Sequence, residues 1–168
     1  MTHICIGVDP GKHHAGIAVF ADFELVAVTC VEATSPLEVI READRWIFAN
    51  RPRGIPDLLV VENQQVYPGR GKGNPNDLIP LSFVAGGIAA MVNATDTMTP
   101  LPNKWKGNTP KAIFTQRLLS RMTARDRDIL ANAQIKGRLL HNAVDACGLA
   151  LYGLGALTKP VAEDKGDA

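Results

Sequence analysis

Three acidic residues stand where an acid is either geometrically fixed or energetically costly. Asp9 closes the apolar run Ile4-Cys5-Ile6-Gly7-Val8 and is followed at once by Pro10-Gly11. A strand that ends on an acid before a glycine turn holds the carboxylate still and leaves room for a ligand near the backbone. An Asx-turn would produce the same pattern for local reasons alone. Glu62 closes a second apolar run, Asp57–Glu62 (DLLVVE). Asp145 lies among Ala143, Val144, Ala146, Cys147, Leu149, Ala150 and Leu151. An ionised, unpartnered carboxylate in such a helix is costly, so Asp145 requires a partner, a proton or a cation. Asn142 and His141 precede it by three and four residues, at the spacing that shares a helix face. Arg138 is the alternative partner. Clustered carboxylates raise one another's pKa unless a cation neutralises them, and oxygen donors of this kind suit Mg²⁺ or Mn²⁺ rather than zinc.

The elements that must position these acids can be read from the same sequence. Ile4–Val8, Ala15–Phe20 and Glu24–Val31 are apolar, β-branched runs separated by turns, which predicts a three-stranded antiparallel meander. Ser35-Pro36-Leu37-Glu38 is a helix start, with a serine cap, a proline in the first position and a capping-box glutamate. Leu37, Ile40, Ala43 and Ile47 form its apolar face, and Arg51–Pro56 ends it. Strand, helix and the buried run Asp57–Glu62 then predict a right-handed crossover and a parallel pairing with the first strand. Glu62 would thereby come to lie beside Asp9.

Asn63–Asp77 is a Gly/Pro-rich loop carrying Tyr67, Arg70 and Lys72; its Gly-Lys lacks the Ser or Thr of a P-loop. A small-residue helix over Leu81–Val92, a weak strand over Thr97–Leu101 and a basic loop, Pro102–Gly107, follow. Pro110 takes the first position of a helix running to about Met122, Thr123–Ala133 forms a short helix, and the last helix spans about Leu139–Leu157. The residues from 159 onward read as a polar, frayed tail after one domain, 1–158.

The composition, 46% hydrophobic over 168 residues, excludes a disordered or fibrous chain. No apolar run reaches membrane-spanning length, and no N-terminal signal peptide is visible. Cys5, Cys30 and Cys147 are odd in number and scattered, which fits reduced thiols and a cytoplasmic location. The net charge of +1 conceals a segregation. Residues 1–62 carry 5 Lys+Arg against 9 Asp+Glu, residues 63–140 carry 11 against 4, and residues 141–168 carry 2 against 4. A basic middle between acidic flanks fits an enzyme with a carboxylate site that binds a polyanion.

Taken together, the Asp of GVDPG, the Glu of VVEN and the Asn and Asp of NAVDA resemble the RuvC branch of the RNase H-like nucleases. The likeness covers Ile4 to about Leu157 and includes the small-residue helix, the PNKWKG loop and the Lys111 helix start. It implies an α/β fold: a mixed five-stranded sheet, antiparallel meander plus parallel strands, flanked by helices. It further implies Mg²⁺-dependent (or Mn²⁺-dependent) cleavage of DNA at four-way Holliday junctions by a homodimer, leaving 5′-phosphate and 3′-hydroxyl ends. Asp9, Glu62 and Asp145 match the family's acidic ligands. The fourth position, usually Asp or His, is Asn142 here, with His141 adjacent as the other candidate. In that chemistry two cations roughly 4 Å apart activate a water and stabilise the leaving oxygen, with Asp9 expected to bridge them.

Lys111 matches the family's basic residue near the scissile phosphate. Arg70, Lys72, Lys104, Lys106, Arg117 and Arg121 are candidates for tracking phosphates, contacts that position DNA without reading sequence. Tyr67 is a candidate wedge at the junction point, and Trp105 either stacks on a base or anchors its own loop. The same fold would also serve a nuclease for forks, flaps, other branched DNA or RNA–DNA hybrids, or a branched-DNA binder with a degenerate site. An actin-like ATPase, which shares the strand–turn–strand with its Asp and glycine, needs a duplicated domain that 168 residues cannot hold.

Overall fold

The structure is a computed structural model, and it describes residues 2–64, 76 and 78–157. Its strands are β1 (Ile4–Pro10), β2 (His14–Ala21), β3 (Glu24–Glu32), β4 (Leu58–Val61) and β5 (Asp96–Met98). Its helices are α1 (Pro36–Asn50), α2 (Leu78–Val92), α3 (Pro102–Trp105), α4 (Lys111–Arg121), α5 (Ala124–Asn132) and α6 (Leu140–Gly153). The strands form one five-stranded sheet in the order β3-β2-β1-β4-β5. β1, β2 and β3 pair antiparallel, whereas β4 runs parallel to both β1 and β5. The meander and the parallel return expected from the sequence are therefore both present.

Period-2 alternation divides the strands between two apolar layers. Ile4, Ile6, Val8, Leu59 and Val61 pack with Val39, Ile40, Ala43 and Ile47 of α1 and Val84, Ile88 and Val92 of α2. Cys5, Ala18, Phe20, Leu58 and Val60 pack on the other face with α6, Trp105, Phe114 and Leu118. All four residues of β4 are buried because it is covered on both sides. α1 starts with the expected serine cap and proline, its Ser35 hydroxyl accepting from the Glu38 amide with Pro36 in the first turn, while the Glu38 carboxylate accepts from the Thr34 amide and hydroxyl. Its buried stripe begins at Val39 rather than Leu37, which at the helix entrance is 47% exposed.

Several boundaries differ from the sequence reading. α2 begins at Leu78 rather than Leu81, with Pro80 tolerated in the first turn, where its missing N–H has no intrahelical partner. β5 is Asp96–Met98 rather than Thr97–Leu101, because only this segment pairs with Leu58–Val60. The basic loop contains the short helix α3, opened by Pro102. Pro110 stands at the cap of α4 rather than inside it. α6 ends at Gly153 rather than Leu157, and its start is preceded by the 3-10 turn Gly137–Leu139. Tyr67, Arg70, Lys72 and the tail from 159 lie outside the described residues.

Candidate active site

Alternation along the strands puts the site on the α6 face. Cys5 belongs to the α6-side layer, so Gly7 and Asp9 share its face; Leu58 and Val60 belong to it, so Glu62 does as well. The parallel pairing of β1 with β4 ends at Val8–Val61, and the Glu62 amide donates to the Val8 carbonyl at 3.0 Å. Asp9 pairs across to Gly16 of β2, and Gly16 to Cys30 of β3. Glu62, Asp9, Gly16 and Cys30 thus form one row across four strands, with α6 lying over it.

Two glycines set how closely α6 approaches. A Cβ on Gly7 would lie 2.1 Å from the Ala146 carbonyl oxygen, and one on Gly16 would lie 2.1 Å from that of Asn142. Only glycine permits the helix backbone to rest on β1 and β2 at these points. The approach lowers Asp145 and Asn142 toward Asp9. Gly148, farther along α6, admits a ring in the same way: a Cβ there would meet the Trp105 ring at 2.6 Å.

The three acids share one electrostatic environment. The Asp9 carboxyl is pushed well above the usual carboxylate range, first by burial and then by the charges of Glu62 and Asp145. Lys106 and Lys111 pull in the opposite direction without offsetting that rise. Among the described residues no donor hydrogen-bonds to the Asp9 carboxylate. The ammonium of Lys106 lies 3.2 Å from Glu62 Oε2 and 3.4 Å from Asp145 Oδ2. Burial pushes the Lys106 pKa down, but Asp145 and then Glu62 raise it more, and the net displacement is upward. Trp105 Nε1 donates to Glu62 Oε2 at 2.9 Å, and the Lys106 ammonium rests 4.7 Å from the Trp105 ring centroid.

These contacts decide several questions left by the sequence. Asp145 pairs with Lys106 and not with Arg138, which instead joins Lys136 on Glu32. Trp105 is 5% exposed, packs edge-to-face on Phe114 with centroids 5.2 Å apart, and orients Glu62. It anchors the α3 loop and offers no open face to a base. The sequence left base stacking and loop anchoring open for Trp105, and its role in holding Glu62 was not legible there. Lys106 is engaged by the acids rather than free on the surface. Lys104 and Arg117 are exposed, while Arg121 donates to the Ala156 carbonyl at 2.8 Å, tying α4 to the end of α6.

Asn142 is 5% exposed, and its Nδ2 donates to Cys30 Sγ at 3.9 Å. His141 is exposed on the α6 first turn near His14, whose pKa is lowered by burial and by His141. Beside Asp145 lies a cleft of about 580 Å³ lined by Pro102, Asn103, Lys106, Thr109, Lys111 and Phe114. Lys111 is exposed at its mouth, at the start of α4.

Among the described residues, no three His, Cys, Asp or Glu side chains are gathered closely enough to form a ready-made metal cage. The donor set nevertheless fits a hard divalent cation. It supplies carboxylates under mutual repulsion and one buried amide oxygen, Asn142 Oδ1, that receives no hydrogen bond among the described residues. Lys106 provides the positive charge in this arrangement.

No family model matches the sequence, and no curated protein does. Solved structures do resemble the fold. Thermus thermophilus RuvC in complex with a Holliday junction substrate superposes with a TM-score of 0.54 at 16% identity, over 92% of this chain and 97% of that one. Thermus thermophilus RuvC by itself gives 0.53 at 17% identity, over 91% and 97%. The yeast mitochondrial Holliday junction resolvase Ydc2 gives 0.52 at 7% identity, over 92% of this chain and 81% of that one. The chain therefore has the RNase H-like fold of the RuvC resolvases. No helix among the described residues is long and apolar enough to cross a membrane.

Proposed function

We propose that this protein is a divalent-metal-dependent, structure-selective DNA endonuclease that resolves four-way junctions by paired nicking. One observation carries the reading: Asp9, Glu62 and Asp145, drawn from three separate elements, converge where their charges oppose one another and an ammonium stands between two of them. The RuvC fold supports it, as does the junction substrate bound by one of the similar structures.

In this reading Asp9, Glu62, Asp145 and Asn142 Oδ1 would hold Mg²⁺ or Mn²⁺, two ions per site. When bound, the ions supply a nucleophilic water and stabilise charge on the leaving 3′ oxygen, giving 5′-phosphate and 3′-hydroxyl ends. Asp9 sits at the end of a fully paired strand and serves as the fixed, central ligand. Trp105 holds Glu62 through its Nε1 hydrogen bond. Lys106, now on Glu62 and Asp145, would be displaced by a bound cation and become free to meet a backbone phosphate. Lys111 and Lys104, exposed beside the cleft, position the strand electrostatically.

The protein acts as a homodimer, since two paired cuts in a symmetric junction require a two-fold pair of sites. α2 is the proposed interface. It carries no charged residue and exposes Ile79, Phe83 and Met91. A second reading, a branched-DNA binder without catalysis, is favoured by Asn142 standing where an Asp or His is usual and by Lys106 already neutralising two of the acids.

The test is cleavage of a labelled synthetic four-way junction with Mg²⁺ or Mn²⁺, beside flap, fork and linear duplex substrates. Symmetric nicks confined to the junction, and absent in Asp9→Asn, support the resolvase. Equal cutting of forks and flaps replaces it with a general branched-DNA nuclease. Tight junction binding with no metal-dependent cutting establishes the second reading.

A further inference from the structure

The row Asp9–Gly16–Cys30 ends in a thiol that the chemistry above does not use. Cys30 is half-buried on β3, on the α6 face, with Asn142 above it. Its sulfur lies 3.9 Å from the Val31 carbonyl oxygen, a weak contact that leaves the sulfur available as an acceptor. Asn142 Nδ2 donates to that sulfur. Burial raises the thiol to a pKa of about 11, against a lowering by the Asn142 hydrogen bond.

The pairing is informative because sulfur is a weak acceptor. Asp145 lies three residues along the same helix, and Asp9 lies in the same row with Gly16 of β2 between it and Cys30; a carboxylate is a stronger acceptor for an amide NH₂ than a thiol sulfur. Here the NH₂ is committed to Cys30, and Oδ1 is buried without a donor among the described residues. A buried, unpartnered carbonyl oxygen is costly unless something else takes it up.

We propose that Cys30 is a positioning residue that holds the Asn142 amide by its Nδ2, so that Oδ1 is presented as a neutral fourth oxygen ligand. The proposal rests on the metal-site reading above. It explains how this chain uses an asparagine where the family pattern has an Asp or a His. An Asp has two equivalent oxygens and needs no orienting partner, whereas an Asn presents a ligand in one flip state and a repelling NH₂ in the other. Groups that support a metal ligand from behind typically change affinity by about 10–100-fold when removed.

The experiment is Mn²⁺ binding to the full, DNA-free chain by isothermal titration calorimetry, independent of cleavage. Cys30→Val, which keeps the bulk and removes the acceptor, is expected to weaken binding by about 10-fold. Cys30→Ser, which retains an acceptor, is expected to restore most of it. In an Asn142→Asp background, Cys30→Val is expected to cost nothing, because the ligand no longer has two faces. Wild-type affinity in Cys30→Val, with binding abolished in Asp9→Asn, overturns the positioning role and leaves the metal site standing. An equal loss from Cys30→Val in both backgrounds overturns it as well, since the effect would then be one of packing. Unchanged binding in Asp9→Asn overturns the metal site itself.

Discussion

Two acids in this molecule, Asp126 and the half-buried Asp9, are treated in opposite ways. Asp126, at the start of α5, is 2% exposed and fully provided for. Its Oδ1 accepts from the Leu25 amide at 2.8 Å and its Oδ2 from the Thr123 amide at 2.9 Å, while its own amide completes the box by donating to the Thr123 hydroxyl. Asp9 accepts no hydrogen bond among the described residues, and burial, then the charges of Glu62 and Asp145, hold its carboxyl well above the ordinary range. The first arrangement joins α5 to β3 and is complete as it stands. The second is incomplete, and the molecule carries its cost. Strain of that kind concentrates at functional sites, where a ligand relieves it.

Removing Asp9 breaks the contrast most sharply. Asp9→Asn is expected to abolish junction cleavage, read on the labelled substrate, while raising the melting temperature at neutral pH. Each kcal/mol relieved corresponds to roughly 2–4 °C in a chain of this size. The pH dependence follows from the direction of the shift. The folded state binds its proton more tightly than the unfolded state, so stability falls as pH rises from the ordinary carboxylate range through the raised Asp9 value, then levels off. The difference in melting temperature between wild type and Asp9→Asn should therefore close as the pH is lowered to the ordinary carboxylate range. A constant difference across the pH range would show that Asp9 is not under charge stress.

Asp126→Ala should behave in the opposite sense, losing roughly 2–4 kcal/mol in urea denaturation because a capping box is lost and a buried amide is orphaned. Gly16→Ala is a third test. It places a methyl against the Asn142 carbonyl and lifts α6, at a cost of about 1–3 kcal/mol. It should also weaken Mn²⁺ binding by moving Asn142 and Asp145 away from Asp9, whereas Gly54→Ala, in the connection between α1 and β4, should leave binding intact. The smallest effect belongs to Lys106→Met, which deprives Glu62 and Asp145 of their ammonium. Without divalent ions it should destabilise by roughly 1–2 kcal/mol, the pair being partly exposed. Added Mg²⁺ should restore the loss, as followed by thermal denaturation at fixed pH; failure to restore it would mean that no cation can replace the lysine.

The meander, the crossover and the adjacency of Asp9 and Glu62 were all legible in one dimension. Alternating apolar runs and the Ser35-Pro36 cap are local signals, and the handedness of the crossover leaves few topologies. Asp145 was legible too, because an acid in an apolar helix is conspicuous. Asp126 could not be told from the surface acids, since nothing in Thr123-Ala124-Arg125-Asp126 shows that β3 will supply the Leu25 amide from 101 residues away. Nor could the residue order reveal that Lys106 would join Glu62 to Asp145, that Trp105 would turn inward onto Gly148, or that Cys30 would meet Asn142. Those pairings are made between elements remote in the chain. They depend on how closely α6 settles onto Gly7 and Gly16, a distance set by side-chain volume at the contact, and only the packed structure fixes it.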